Sequence, residues 1–219
     1  GHLRSDAIAE HAITLMLMIS RRPWLWKEGH TTIQHNELMG ATLGIVGLGN
    51  IGRGVAKRCA AFGMEIIAYT RTPGKFWPEG FTVEETATLE ELLPRADYLL
   101  LSLPLTEESR GLIGAKEIAL MKDTAFLINI ARGAHVDIDA MAEAIAGGKF
   151  AGAGLDVTAP EPLPEGHPIL GLPSVVISPH SASHTSGVQQ RSTQLLCDNI
   201  RRAVEGERAT SLVNPEIYD

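Results

Sequence analysis

Thr42-Leu43-Gly44-Ile45-Val46-Gly47-Leu48-Gly49-Asn50-Ile51-Gly52-Arg53-Gly54 is the stretch whose reading decides the fold. Its apolar run, with β-branched Ile45 and Val46, reads as a strand that enters a glycine turn at Gly47. Val55, Ala56, Arg58, Cys59 and Phe62 leave that turn with the spacing of an amphipathic helix. Gly47 allows a tight turn, Gly49 lets the backbone come close to a pyrophosphate, and Gly52 lets the helix pack hard on the strand. The new helix, opening with Asn50 and Ile51, offers free N–H groups and its positive dipole end to that anion. Alone, a G-x-G-x-x-G spacing also suits an ordinary glycine turn. A strand before it, a helix after it and a second strand on cue supply the context of a dinucleotide-binding turn.

That second strand, Met64-Glu65-Ile66-Ile67-Ala68-Tyr69-Thr70, bears on the choice of dinucleotide. In such a unit the acid that binds the ribose 2′-OH stands about 20 residues past the glycines, at this strand's end. Here the strand ends in Thr70, Arg71 and Thr72. No carboxylate is present to repel a 2′-phosphate, while a guanidinium and hydroxyls can bind one. The expected cofactor is NADP, with NAD as the second choice. The competing reading has Arg71 stacked on the adenine or turned to solvent.

Outward from this unit, strands and helices alternate. Asp6 to Ser20 reads as a helix capped by Ser5, with Ile8, Ala12, Leu15 and Ile19 on one face and Met16, Leu17 and Met18 widening it. With Trp24 and Trp26 close behind, that face has two readings: burial against the chain's own domain, or a helix and arm packed across a symmetric homodimer. Lys27 to Leu38 is polar, holds His30 and His35, and reads as a loop or short helix. Thr88-Leu89-Glu90-Glu91 is a capping box opening a short helix that Pro94 ends. Asp97 to Leu103 is a continuous apolar strand of the kind a parallel sheet buries on both faces. Ala115 to Met121 is helical, Ala125 to Ile130 is a strand, and Asp137 or Asp139 caps a helix reaching Ala146. Gly152 to Val157 and Ser174 to Ser178 are strands flanking a proline-rich loop, and Val188 to Val204 is the last helix. The fold class is α/β, a Rossmann-type doubly wound parallel sheet with helices on both faces. Residues 1–40 form a linker helix and arm, 41–185 the Rossmann nucleotide-binding domain, and 186–219 the C-terminal helix and tail.

Composition narrows the partners. A formal net charge of −7 over 219 residues argues against nucleic acid and against an anionic membrane surface, both of which would need a basic face. No apolar run approaches the about 20 residues of a membrane span, and no basic segment precedes a cleavable apolar core. Two cysteines, Cys59 and Cys197, provide neither a disulfide framework nor metal-ligand spacing. The expected setting is cytoplasmic, with no metal.

In an open parallel sheet the ligand lies beyond the carboxyl ends of the strands. Leu103 and Pro104 stand at one such end, Ile130 and Ala131 at the next, and Asp156 at the one after; with the glycines and Thr70 to Thr72 they are the expected cofactor-lining positions. Three further ionisable residues fall at strand ends: Arg132, Glu161 and His180. Singly, each has a plain reading as a turn residue, a loop acid and a capped histidine. Together on one sheet edge they suit the reduction of a 2-oxo acid. That reaction needs a cation to grip the carboxylate and an acid to protonate the oxygen as hydride reaches the carbon. Arginine binds a carboxylate through its fork, histidine exchanges protons near neutrality, and a neighbouring carboxylate favours imidazolium and orients it. Arg132 is thus the expected substrate-binding residue, His180 the acid–base residue that also borders the cofactor, Glu161 its partner, and Asp156 a group that orients the nicotinamide amide.

Taken in order and spacing, Gly47-Leu48-Gly49-Asn50-Ile51-Gly52, Asn129-Ile130-Ala131-Arg132-Gly133, Gly154-Leu155-Asp156-Val157 with Glu161-Pro162, and Ser178-Pro179-His180 resemble the D-isomer-specific 2-hydroxyacid dehydrogenases. Ala9-Glu10-His11-Ala12 and Pro104-Leu105-Thr106 extend the resemblance over nearly the whole chain. It implies the same roles for Arg132, Glu161, His180 and Asp156, a small 2-oxo acid as substrate, and a cofactor-domain dimer built partly on the first helix. Glu161 stands where the family's formate-oxidising branch carries Gln, and Thr70-Arg71 is similar to the NADP-preferring glyoxylate and hydroxypyruvate reductases.

Family members carry a domain-sized N-terminal segment, on the order of a hundred residues, that forms most of a substrate-binding lid. This chain begins inside the linker helix, and Gly1-His2 reads as a tag remnant. The expectation is a cofactor domain without that lid, able to bind NADP but poor at reducing 2-oxo acids. The rival readings are a non-catalytic nucleotide-sensing dimeric module and a dehydrogenase acting on another small anion such as phosphite.

Overall fold

The structure is a computed structural model and describes residues 2–28, 34–76, 78–210, 212 and 214. His30 and the end of the expected tail lie outside the described residues. The strands are β1 (Thr42–Val46), β2 (Glu65–Tyr69), β3 (Glu84–Glu85), β4 (Tyr98–Leu101), β5 (Phe126–Asn129), β6 (Gly152–Leu155) and β7 (Val175–Ile177). The helices are α1 (His2–Arg21), α2 (Asn50–Ala61), α3 (Leu89–Leu92), α4 (Ala115–Leu120), α5 (Ile138–Ala146) and α6 (Ser186–Val204).

All seven strands run parallel in the order β3-β2-β1-β4-β5-β6-β7. The chain travels outward from β1 to β3, then returns to lay β4 on the other side of β1. That reversal opens a crevice at the carboxyl ends of β1 and β4. β1, β4, β5 and β6 are apolar along their length because both faces of the sheet are covered.

Alternate residues of each strand feed two separate cores, as the two-residue period of a strand requires. Leu99, Leu101 and Leu127 pack with Leu92, Met141 and Phe150 on the face of α3, α4 and α5. Leu43, Ile45, Leu100 and Ile128 pack with Val55, Cys59, Leu15, Met16 and Ile19 on the face of α1 and α2. Gly44 permits the first contact, since a Cβ there would stand 2.6 Å from Leu92 Cδ2. Across the sheet, Tyr98 stacks on Phe126 with ring centroids 5.4 Å apart, and its hydroxyl meets Ser20 Oγ at 2.7 Å.

Several local expectations are corrected. α1 starts at His2, so Ser5 lies inside the helix and not at its N-terminus; His2, Leu3 and Arg4 contain no breaker that would delay the start. Thr88 Oγ1 accepts from the Glu91 amide at 3.2 Å, but the Glu91 carboxylate accepts from Ala87 N at 3.0 Å instead of completing the box on Thr88. α3 ends at Leu92, ahead of Pro94, and the chain continues as a 3-10 turn over Leu93–Arg95 that contains the proline. β3 went unforeseen, and α6 begins at Ser186, where Thr185 Oγ1 accepts from Val188 N at 3.1 Å. Of the two candidate caps for α5, Asp137 is the one used, accepting from Ala140 N at 3.0 Å.

Much of the wide apolar face of α1 is buried within the chain, while Ile8, Leu17 and Met18 stay only partly covered. Ala9, Ala12, Leu15, Met16 and Ile19 are buried against α2 and the sheet, and each large side chain so buried contributes about 1.5–3 kcal/mol.

Candidate active site

The crevice at the ends of β1, β2 and β4 has a volume of about 420 Å³, and its walls include Gly47, Leu48, Gly49, Arg53, Thr70, Arg71, Thr72, Ser102, Leu103, Pro104, Thr106 and Glu108. Its glycine turn is closed to any side chain at two points and open at one. Gly47 has φ +98°, and a Cβ there would stand 2.8 Å from Ser102 O; one on Gly52 would stand 2.4 Å from Gly47 O. Around Gly49 nothing lies within 4 Å of the Cβ position. Gly49 is also the N-cap of α2 and supplies no side-chain acceptor, so the first amides of that helix have neither an intrahelical partner nor a side-chain cap. A void beside unpaired donors is what a pyrophosphate needs, and the residues present fit a dinucleotide.

Arg53 was not foreseen, although it follows Gly52 directly in the first turn of α2. Its Nε donates to Leu48 O at 3.0 Å and its guanidinium lies 4.7 Å from the centre of the Phe76 ring, so it enters the crevice wall already oriented. Glu108, from the loop after β4, was likewise missed. Its carboxyl is held below the ordinary range chiefly by the Thr106 side-chain hydrogen bond, then by its own amide, with Arg71 adding attraction against a desolvation penalty. Neither residue belongs to the strand-end pattern that identified the others. Of the expected cofactor positions, Ile130 and Ala131 are buried in the two cores and do not line this crevice, and Asn50 and Ile51 sit at the start of α2.

A second cleft, about 500 Å³, lies past β6 and β7 and includes Asp156, Glu161, Leu163, Leu170, Pro179 and His180 in its walls. There Glu161 Oε1 meets His180 Nδ1 at 2.8 Å, with the two side chains 41% and 50% exposed. With Nδ1 occupied by the carboxylate, Nε2 is the nitrogen left to exchange a proton with a ligand. His180 has φ +52°, a left-handed conformation that costs a non-glycine residue about 1–3 kcal/mol. Its amide donates to Asp156 O at 2.9 Å and to Ser178 O at 3.0 Å.

Asp156 is 2% exposed, and its carboxylate is heavily committed. Oδ1 accepts from Ser178 Oγ at 2.7 Å and from Ser181 N at 2.9 Å, and Oδ2 accepts from Ala182 N at 3.1 Å. His11 Nε2 lies 3.3 Å from Oδ1. Burial by itself raises this carboxyl's pKa, but the hydrogen bonds from His11, Ser178 and the amides of Ala182 and Ser181 together outweigh it and lower the pKa from 3.8 to about 2.

Arg132 follows β5 and, among the described residues, makes no hydrogen bond or ion pair with His180 or Glu161. Its carbonyl receives Asn129 Nδ2 and His135 Nδ1, both at 2.9 Å, and its Nη1 donates to Ala131 O at 2.6 Å. The turn is nevertheless seated on the loop that carries Glu161. A Cβ on Gly133 would fall 1.9 Å from the carbonyl carbon of Thr158, so only glycine lets the two loops meet.

The model of the D-isomer specific 2-hydroxyacid dehydrogenase NAD binding domain matches residues 8–182. The chain belongs to that family. Members similar to it include the glyoxylate reductase of Thermococcus gammatolerans, 41% identical over 227 residues that cover 97% of this chain and 67% of that one. Another is the D-3-phosphoglycerate dehydrogenase of Methanocaldococcus jannaschii, 42% identical over 178 residues, 81% of this chain and 34% of that protein. The chain thus spans between about a third and two thirds of these two family members. Among solved structures, D-lactate dehydrogenase with NAD+ from Lactobacillus jensenii superposes with a TM-score of 0.86 at 30% identity, covering 95% of this chain and 68% of that one. A glyoxylate reductase from Paecilomyes thermophila gives 0.83 at 36% identity, covering 94% and 65%. The crevice at β1 and β4 lies within the residues that this family's NAD binding domain model matches.

Proposed function

We propose that the chain is the cofactor-binding part of a reductase that converts a small 2-oxo acid to its 2-hydroxy acid, and that it prefers NADPH to NADH. The contact between His180 Nδ1 and Glu161 Oε1, 2.8 Å, carries the catalytic reading. It leaves Nε2 to deliver a proton to the substrate oxygen, and the carboxylate stabilises the charged ring before that transfer. Arg132 would pair through its fork with the substrate carboxylate and hold the carbonyl in place. Reduced nicotinamide, when bound, supplies the hydride. Asp156, at the end of β6, would accept from the carboxamide in addition to the donors it already holds. A nucleotide sensor has no use for a paired acid and base, which is why catalysis is favoured over sensing.

Support for NADPH comes from Thr70, Arg71 and Thr72 in the crevice wall, with no acid at the end of β2. Support for a small oxo acid comes from the relatives named glyoxylate reductase.

The test is a fluorescence titration of NADPH and NADH into the purified chain and its Arg71→Ala variant, alongside a turnover screen of 2-oxo acids with His180→Gln. We expect NADPH to bind at least about tenfold more tightly, a difference of about 1.4 kcal/mol, and Arg71→Ala to erase it. His180→Gln should lower turnover by about a hundredfold or more while leaving cofactor affinity within about twofold. Equal affinity for both nucleotides would reject the NADP preference. Unchanged turnover in the histidine variant would reject the mechanism.

A further inference from the structure

His11 sits on α1, in the Ala9-Glu10-His11-Ala12 motif that the proposed chemistry leaves without a use. Its ring reaches the far end of the sheet. Nε2 stands 2.8 Å from Ser178 Oγ, and Ser178 is the residue before Pro179-His180.

Proton bookkeeping sets the direction of that contact. The single hydroxyl hydrogen of Ser178 is drawn to Asp156 Oδ1, an ionised acceptor at 2.7 Å, in preference to Leu155 O at 3.5 Å. The serine oxygen therefore presents a lone pair to His11, and Nε2 must carry a hydrogen to use it. The Nε2–H of His11 faces Ser178 Oγ at 2.8 Å and Asp156 Oδ1 itself at 3.3 Å, so it reaches the carboxylate both directly and through the serine hydroxyl. Asp156 also holds the amides of Ser181, at 2.9 Å, and Ala182, at 3.1 Å. His180 is thus bracketed by residues on both sides that converge on one carboxylate. The bracket helps hold the left-handed backbone of His180, φ +52°, whose ring is anchored separately on Glu161.

We propose that His11 is a positioning residue for His180: its Nε2–H, acting through Ser178 and Asp156, fixes the strained turn that aims the imidazole held by Glu161. The role rests on the assignment of His180 as proton donor, but its geometry can be read without turnover.

The experiment compares the parent chain with His11→Leu and His11→Gln; Gln keeps an N–H donor at similar reach, and Leu keeps bulk alone. Hydrogen exchange at the amides of His180, Ser181 and Ala182, and the ring resonance of His180, are measured by NMR without substrate. kcat and KM are measured with NADPH and a 2-oxo acid. In His11→Leu the three amides should exchange about tenfold faster while amides of β1 and β4 are unchanged, and the His180 resonance should move. kcat should fall by about tenfold to a hundredfold with KM and cofactor affinity within about threefold, and His11→Gln should restore most of both effects. Unchanged exchange and an unmoved resonance in His11→Leu would overturn the proposal, as would equal failure of Gln and Leu with protection lost across the whole sheet. If no form turns over any oxo acid, the proposed activity fails, and the exchange and resonance data still decide the role of His11. Should His11→Leu not fold, His11→Asn, whose shorter amide falls short of Ser178, takes its place in the comparison.

Discussion

Asp156 ionises near 3.8 in an unfolded chain and at about 2 in the folded one. A depressed carboxyl pKa stabilises the fold above the unfolded value, and that stabilisation is lost as pH falls through the folded value. The shift corresponds to about 2 kcal/mol, present at neutral pH and draining between about pH 4 and about pH 2. Asp156→Asn should lower the unfolding free energy at pH 7 by about 2–3 kcal/mol, since its amide would point a donor at the N–H groups of Ser181 or Ala182. It should also flatten the acid limb of the stability curve, as urea midpoints measured from pH 2 to 7 would report. An acid limb as steep as the parent's would refute the assignment. At this scale His180 and Glu161 were legible, because each closely follows a strand end where an open parallel sheet binds ligands. His11 was not. Its partner Ser178 lies 167 positions away, and helix periodicity sorts His11 only as one polar residue on an amphipathic surface.

Between α1 and β6 the packing is close enough for one methyl group to be felt. A Cβ on Gly154 would stand 2.9 Å from Leu15 Cβ, so Gly154→Ala has to push the helix off the strand. We expect a loss of about 1–3 kcal/mol, or several degrees in Tm by calorimetry. Leu15→Ala alone should cost about 2–5 kcal/mol, and it should not rescue Gly154→Ala, because the new methyl meets Leu15 Cβ, an atom that alanine keeps. A double variant clearly less destabilised than the sum of the two would mean that the atoms beyond Leu15 Cβ, and not Cβ itself, set the approach of α1 to β6. The strands that built this layer were easy to read, since a continuous apolar run is what burial on both faces demands. β3 was not, because Glu84 and Glu85 join the sheet through backbone pairing to Ile67 and Ala68, and an edge strand so short leaves no pattern in side chains. The start of α1 escaped for a related reason: serine serves as a cap or as an interior residue, and only the preceding turn decides which.

The two cores on either side of the sheet give the whole molecule a chemical reporter. Cys59 is buried between α2 and the sheet, and burial pushes its thiol up to about 12, whereas Cys197 is exposed on α6. A thiol reagent at pH 8 should therefore label one cysteine per native chain promptly and the second only as the fold opens, with denaturant making both equally fast. Prompt labelling of both would place Cys59 outside the core. The span between His11 and Ser178 has a consequence during synthesis. At about 5–20 residues per second, a ribosome needs on the order of ten to thirty seconds to pass from one to the other. Through that interval Leu15 and His11 have been made, but Gly154, the residue of β6 on which Leu15 packs, and the serine that engages His11 are still to come. The part of the α1 face that meets β6 and β7 therefore stays open until the last strands have emerged, a window in which a holding chaperone could bind it.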